Sequence, residues 1–273
     1  MVGGQTVVLP EAKHVVGVYA NTAKTIGVIK IARPRVRNCL SLQTYSELHD
    51  HFHLFEKDAA VLAVIFTAEG DEFFTSGTDV GELGRLNAES LAMIRSIMLT
   101  LVNYPKILVA AVNGHAIGLG VSMLPYCDFA FAVPHATFRT PFMALGIVPD
   151  FGSSVTFPAM LGKVATNDLL LRGRKIDASR AVTTGLVTEI VPAHDFQSAV
   201  VALTEEVTGQ LHANRSLLLF KKQIQRLRPL TKQHIIAAID HELDEINRRM
   251  EARTVATAHS KPEPSRQPSA SKL

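Results

Sequence analysis

Short apolar runs, spaced so that a turn and a helix fit between them, constrain this chain more than any other feature. Val61 to Phe66, Ile107 to Val112 and Phe129 to Val133 are each brief, free of charge, and rich in β-branched, aromatic or small residues. Runs of that length read as strands covered on both faces, the usual condition of a parallel sheet. The first is followed by a polar, glycine-containing loop through Gly77 and a helical stretch from about Ala88 to Val102. The second is followed by Asn113-Gly114 and a small-residue helix. Strands alternating with helices predict an α/β domain with mostly parallel pairing.

The flanks extend this pattern. Val15 to Ala20 and Thr25 to Ile31, separated by Asn21-Thr22-Ala23-Lys24, read as a hairpin. Tyr45, Leu48, Phe52 and Phe55 recur at helical spacing behind a cap at Ser41. Beyond Ala193 the chain becomes helical. Val200, Leu203, Val207 and Leu211 mark one apolar stripe, and Ile235, Ile239, Leu243, Ile246 and Met250 another. Such stripes pack either on their own core or on a neighbouring subunit, and the sequence does not choose. The expected organisation is a core over residues 1–195, a helical region over 196–253 and a flexible Ser/Pro/Lys-rich tail over 254–273.

Composition excludes several classes. With 273 residues, 47% hydrophobic, the chain can bury a sizeable core, and a formal charge of +3 is too weak an excess for a nucleic-acid-binding protein. Cys39 and Cys127 lie too far apart for a metal-ligand spacing and read as buried thiols in a reducing compartment. No secretory signal is expected from the first residues, and the uncharged stretch from Ile107 to Tyr126 is too interrupted by polar and glycine residues to span a membrane. The final Ser271-Lys272-Leu273 matches a peroxisomal address, so an import receptor is an expected partner and the peroxisome, or a related organelle such as the glycosome, the expected location.

Among polar residues, His49, His51 and His53 sit at alternate positions of one helix, which do not face each other, so a shared metal is poorly supported and solvated surface is expected. His115 reads as a turn residue. Ser122 lies near Gly118 and Gly120, but the segment is not G-x-S-x-G, and no His/Asp pair can be placed beside it. The glycines lack the lysine of a phosphate-binding loop. They suit a strand-to-helix turn in which amides near residues 118 to 120 stay free to hold an oxyanion. Ser76-Gly77-Thr78-Asp79 is a second such turn, exposing the amide of Thr78. Two amides aimed into one pocket would polarise a thioester carbonyl and stabilise its enolate; spacing alone equally allows two ordinary loops.

At this point several ordered motifs converge. Ala110-Ala-Val-Asn-Gly-His-Ala-Ile-Gly-Leu-Gly, Tyr126-Cys-Asp-Phe-Ala-Phe-Ala, Ala136-Thr-Phe-Arg-Thr-Pro, Leu145-Gly-Ile-Val-Pro and Ala181-Val-Thr-Thr-Gly-Leu-Val-Thr-Glu-Ile-Val-Pro resemble the crotonase (enoyl-CoA hydratase/isomerase) family over about Val15 to Arg249. The resemblance implies a spiral of ββα turns, a trailing helical region that trimerises, singly or as a dimer of trimers, and a fatty acyl-CoA thioester held in an oxyanion hole. Its two amides would fall on Thr78 and Leu119. No separate cofactor and no metal are implied.

The family's hydratases carry two glutamates, and here those positions are Ser122 and Phe142. Hydration needs one group for water and another for the carbon-bound proton, so both losses argue against a hydratase, and likewise against a dienoyl-CoA isomerase. A third position, after Gly146-Ile-Val-Pro149, carries the single acid of the family's Δ3,Δ2-enoyl-CoA isomerases, and here it is Asp150. Thr140-Pro141-Phe142 and Ser153-Ser154-Val155-Thr156-Phe157-Pro158 are especially similar to the peroxisomal branch. The implied activity is movement of a double bond from C3 to C2 during β-oxidation, with Asp150 as the base and Phe142, Val148 and Phe151 raising its pKa. Aspartate is one methylene shorter than the usual glutamate. An inactive acyl-CoA-binding protein, or an enzyme for dienoyl or branched substrates, are the alternative readings. Ser76, Gly77, Asp79, Val80 and Gly118 would line the substrate path, while Arg35, Arg37, Lys221 and Lys222 would reach the CoA moiety.

Overall fold

The computed structural model describes residues 6–7, 12–83, 87–210, 213–226 and 230–259. The chain begins with the expected hairpin: β2 (Val15–Tyr19) and β3 (Ile26–Ile31) pair antiparallel, with Val15 opposite Ile31, and β1 (Thr6–Val7) extends the edge. Ser41 caps α1 (Leu42–Lys57) by accepting a bond from the Thr44 amide, which satisfies one orphan donor at the helix start. Tyr45, Leu48, Phe52 and Phe55 then bury one face of that helix.

Three successive units follow. The first comprises β4 (Ala63–Ala68), β5 (Phe73–Thr75), the short α2 (Val80–Leu83) and α3 (Ala88–Asn103). The second comprises β6 (Ile107–Val112), β7 (His115–Ile117) and α4 (Leu119–Ser122). The third comprises β8 (Phe129–Ala132), β9 (Thr137–Arg139), α5 (Phe142–Leu145) and α6 (Ser153–Leu170). A last partial unit holds β10 (Ile176–Asp177), α7 (Ala178–Thr183) and β11 (Glu189–Ile190).

Each unit gives one strand to each of two sheets. The larger has the order β1-β2-β3-β4-β6-β8-β11, parallel from β3 onward, and the smaller the order β10-β9-β7-β5. The chain therefore winds as a ββα spiral. β4 and β6 are buried at every position, as unbroken apolar runs require. The first apolar run starts pairing at Ala63 rather than Val61, because Leu62 and Ala63 both donate to the Thr25 carbonyl at the strand entrance. The smaller sheet went unseen in the sequence: strands of two or three residues are too short to display a period.

Helices α8 (Phe196–Thr208), α9 (Ala213–Arg226) and α10 (Lys232–His259) complete the chain. The second apolar stripe packs on its own core. Ile239 and Leu243 of α10 are buried, and Arg95 of α3 forms a two-pronged ion pair with Asp240 at 2.6 and 3.0 Å. The helix runs through His259, past Thr254 where the tail was expected to begin; the rest of that tail, with Ser271, Lys272 and Leu273, lies outside the described residues. Both cysteines are free and half-buried rather than fully buried. Among the described residues no helix is long and apolar enough to cross a membrane.

Lys221 of α9 is 7% exposed, and its Nζ donates to Asp128 Oδ2 at 2.7 Å and to the Lys106 carbonyl at 2.6 Å. Asp128 in turn accepts from the Leu108 amide at 2.8 Å, so this pair fastens α9 to the strand β6. Removing one member of a buried pair strands the other charge. Lys221→Ala should therefore lose about 3 kcal/mol of stability in urea unfolding; a loss below about 1 kcal/mol would show the pair to be no better than a surface one.

Candidate active site

The spiral brings two tight turns against each other. Gly77 follows β5 and Gly118 follows β7, adjacent parallel strands of the smaller sheet. Gly77 has φ +84°, and a Cβ there would lie 2.8 Å from the Ile117 carbonyl oxygen, so only glycine lets the two backbones approach. Around Thr78 the backbone bonds run from Leu40 N to Gly77 O and from Asp79 N to Leu40 O, leaving the Thr78 amide outside that ladder. Leu119 is the first residue of α4, where an amide has no partner one turn earlier. The Tyr45 hydroxyl lies 2.6 Å from Thr78 Oγ1 and buttresses the first turn.

Both turns open into one cavity, whose lining includes Ser76, Gly77, Thr78, Gly118, Leu119 and Asp150. Leu91, Ile94 and Met98 of α3 form an apolar wall, Phe142 and Ile147 another, and Leu243 and Ile246 of α10 contribute from the C-terminal helix. Asp150 is the one ionisable side chain in that lining among the described residues. It is 9% exposed, and burial pushes its pKa from 3.8 to about 6, against a lowering contribution from a hydrogen bond. That bond comes from Ser122 Oγ, which donates to Asp150 Oδ1.

Asp150 owes its place to an unusual backbone. Phe151 and Gly152, the next two residues, are both left-handed, at φ 55° and 68°, before α6 begins at Ser153. Phe151 stacks on Tyr126 with ring centroids 4.5 Å apart, and the Tyr126 hydroxyl donates to the Phe151 carbonyl at 2.5 Å. A Cβ on Gly152 would meet that hydroxyl oxygen at 2.9 Å. Glu242 of α10, 4% exposed, accepts from the amides of Gly152 at 2.6 Å and Ser154 at 3.1 Å.

The expected residues divide into those at the cavity and those elsewhere. Asp150, Thr78, Leu119, Ser76, Gly77, Gly118 and Phe142 meet at the cavity. Asp79 instead accepts from the Gly81 amide at 2.9 Å; Val80 opens α2, and its side chain is outside what the structure describes. Arg35 and Arg37 are exposed and outside the lining, with the Arg37 guanidinium 5.5 Å from the Phe73 ring centre. Lys221 is committed to Asp128 and is not brought to the cavity; Lys222 is exposed on α9.

Two polar clusters carry contacts that the sequence did not display. Ser122 does have an acid beside it, one that lies 28 positions on and that only the spiral brings near. His51 is buried, with Nδ1 2.7 Å from the Glu47 carbonyl, whereas His49 and His53 do face each other, their Nε2 atoms 3.1 Å apart. Alternate positions diverge as expected, but the outer two are one helical turn apart. His115 lies in β7 against Thr137 Oγ1, 3.0 Å away. Glu242 was missed because its partners are backbone amides, which leave no trace in a residue pattern.

Comparison with known proteins decides the family. A model described as enoyl-CoA hydratase/isomerase matches residues 21–260. The chain belongs to the enoyl-CoA hydratase/isomerase family. Mouse "Enoyl-CoA delta isomerase 3, peroxisomal" is 36% identical over 183 residues, 64% of this chain and 57% of that protein. Rat "Enoyl-CoA delta isomerase 2" is 34% identical over 197 residues, 70% of this chain and 50% of that protein. The chain thus spans about half the length of these relatives, and hydratases of the family are also among its relatives. A crystal structure of an enoyl-CoA hydratase/isomerase from Pseudoalteromonas atlantica T6c, 28% identical, superposes at a TM-score of 0.79, covering 93% of this chain and 100% of that one. The ββα spiral is therefore the fold of this family.

A buried acid with a raised pKa lowers stability wherever it must ionise. Its stabilising contribution is complete below the unfolded value of 3.8 and is lost as pH rises through about 6. Asp150→Asn should accordingly melt higher than the parent at pH 8, by at most about 3 kcal/mol, with the gain vanishing below pH 4. Parallel melting curves at both pH values would contradict the raised pKa.

Proposed function

We propose that this protein is a Δ3,Δ2-enoyl-CoA isomerase that uses Asp150 as its single base. The observation that carries this reading is the cavity lining: two backbone turns suited to holding an oxyanion, and one carboxylate. Asp150 takes a proton from C2 of a 3-enoyl-CoA. The C2–H electron pair then spreads through the thioester, placing charge on its oxygen, where the Thr78 and Leu119 amides stabilise it. Return of the proton from Asp150 to C4 shifts the double bond to C2 and restores the carbonyl. The apolar walls exclude water and keep the developing charge in reach of the two dipoles. Family membership supports an acyl-CoA substrate, and the names of the mouse and rat relatives support isomerisation.

Hydration fits the site less well. It calls for two acid–base groups, and the positions that carry them in hydratases hold Ser122, whose hydroxyl is engaged with Asp150, and Phe142. A second reading, thioester binding without turnover, is favoured by that same bond, because it occupies an oxygen of the one carboxylate that lines the cavity among the described residues. The peroxisomal location expected from residues 271–273 is likewise a proposal, supported by the word peroxisomal in the name of the mouse relative.

Product analysis with 3-cis-, 3-trans- and 3,5-dienoyl-CoA separates these readings: 2-enoyl-CoA is expected from the first two, conversion of the third alone to 2,4-dienoyl-CoA would identify a dienoyl enzyme, and thioester binding with no product would identify the binding protein. Asp150→Asn should cost about 10²- to 10⁴-fold in kcat. For the parent, kcat/KM should rise with pH and reach half its plateau near the Asp150 pKa of about 6. A fully active Asn variant would refute the assignment of the base.

A further inference from the structure

A second buried carboxylate stands behind the first, and the proton shuttle has no use for it as an acid or base. Glu242 does not line the cavity. It lies on α10, whose neighbouring residues Leu243 and Ile246 do line it, and both its oxygens are spent on amides of the segment that carries Asp150. Gly152 N donates to Oε2 and Ser154 N to Oε1. Burying a carboxylate this deeply is costly, and the two amide bonds offset part of that cost while tying α10 to this segment.

What they hold is the left-handed pair. Phe151 is a bulky residue in a conformation that is unfavourable for any residue with a Cβ. Nothing in its own side chain favours φ 55°; the conformation is imposed by Tyr126 on one side and by Glu242 on the next peptide. Ile235 and Ile239 of α10 close on Gly152 as well, at 3.3 and 3.5 Å from the position of a Cβ. Asp150 precedes this pair directly, so any relaxation there swings its carboxylate. An aspartate, short by one methylene against the usual glutamate, has little side-chain freedom to compensate.

We propose that Glu242 is the positioning residue of this site: its carboxylate, reaching from the C-terminal helix, fixes the Phe151–Gly152 turn and so aims Asp150 into the cavity. Burial, and to a smaller extent the charge of Asp150, pushes Glu242 itself up to about 7. The kinetic consequence rests on the isomerase reading; the effect on Asp150 does not.

Glu242→Gln tests this, because an amide keeps the shape but has one acceptor for two N–H donors. Arg95→Ala is the control: it removes the Arg95–Asp240 tie of α10 without touching the Asp150 turn. Two readouts are needed. The first is the carboxyl ¹³C titration of Asp150, assigned with Asp150→Asn, which is independent of turnover. Because a relaxed turn lets solvent reach the carboxylate, in Glu242→Gln the titration should move below the parental value by half a pH unit or more, while Arg95→Ala titrates as the parent does. The second is isomerisation per folded molecule, where Glu242→Gln should lose about ten- to a hundredfold in kcat with KM changed less than threefold. An Asp150 titration unchanged by Glu242→Gln would overturn the proposal, whatever the parent catalyses. A shifted titration in a protein whose parent makes no 2-enoyl-CoA would uphold the positioning and refute the isomerase reading instead.

Discussion

One carboxylate, buried but not silenced, is the constraint around which this site is arranged. In water an aspartate is a weak base because it is well solvated. Enclosed by Phe142, Leu119 and the helix α3, Asp150 loses that solvation, and its pKa rises into a range where it can both take and return a proton. Full burial without a partner would keep it protonated, and full pairing would keep it ionised. The single hydroxyl of Ser122 leaves it between these limits.

The same balance explains why the fold spends so much on backbone conformation. The two glycine turns at the cavity need Gly77 to pass close to the Ile117 carbonyl, and Asp150 is followed by two consecutive left-handed residues. Neither arrangement would persist in isolation. Each is held by elements distant in sequence: Tyr45 behind Thr78, Tyr126 under Phe151, Glu242 across the start of α6. The C-terminal helix is thus part of the site as well as of the core.

Much of this was legible in the sequence and some could not be. The unbroken runs at β4 and β6 announced a parallel sheet, and Gly77 and Gly118 announced sharp turns, because burial and positive φ restrict residue type. Asp150 stood out as the lone acid of an apolar stretch. The smaller sheet was hidden since its strands fall below the length at which alternation shows. Lys221 was placed near the CoA moiety because a lysine on a helix looks the same whether it meets solvent or Asp128. Ser122 and Glu242 escaped for a related reason: a contact across 28 or 90 positions is created by topology and is written in no local pattern.

The most direct test of a single shielded base follows the hydrogen itself. A 3-enoyl-CoA deuterated at C2, turned over in ordinary water and examined by NMR, should yield 2-enoyl-CoA with deuterium carried to C4 in a readily measured fraction of molecules. Product with only solvent hydrogen at C4, or a 3-hydroxyacyl-CoA in its place, would contradict the account.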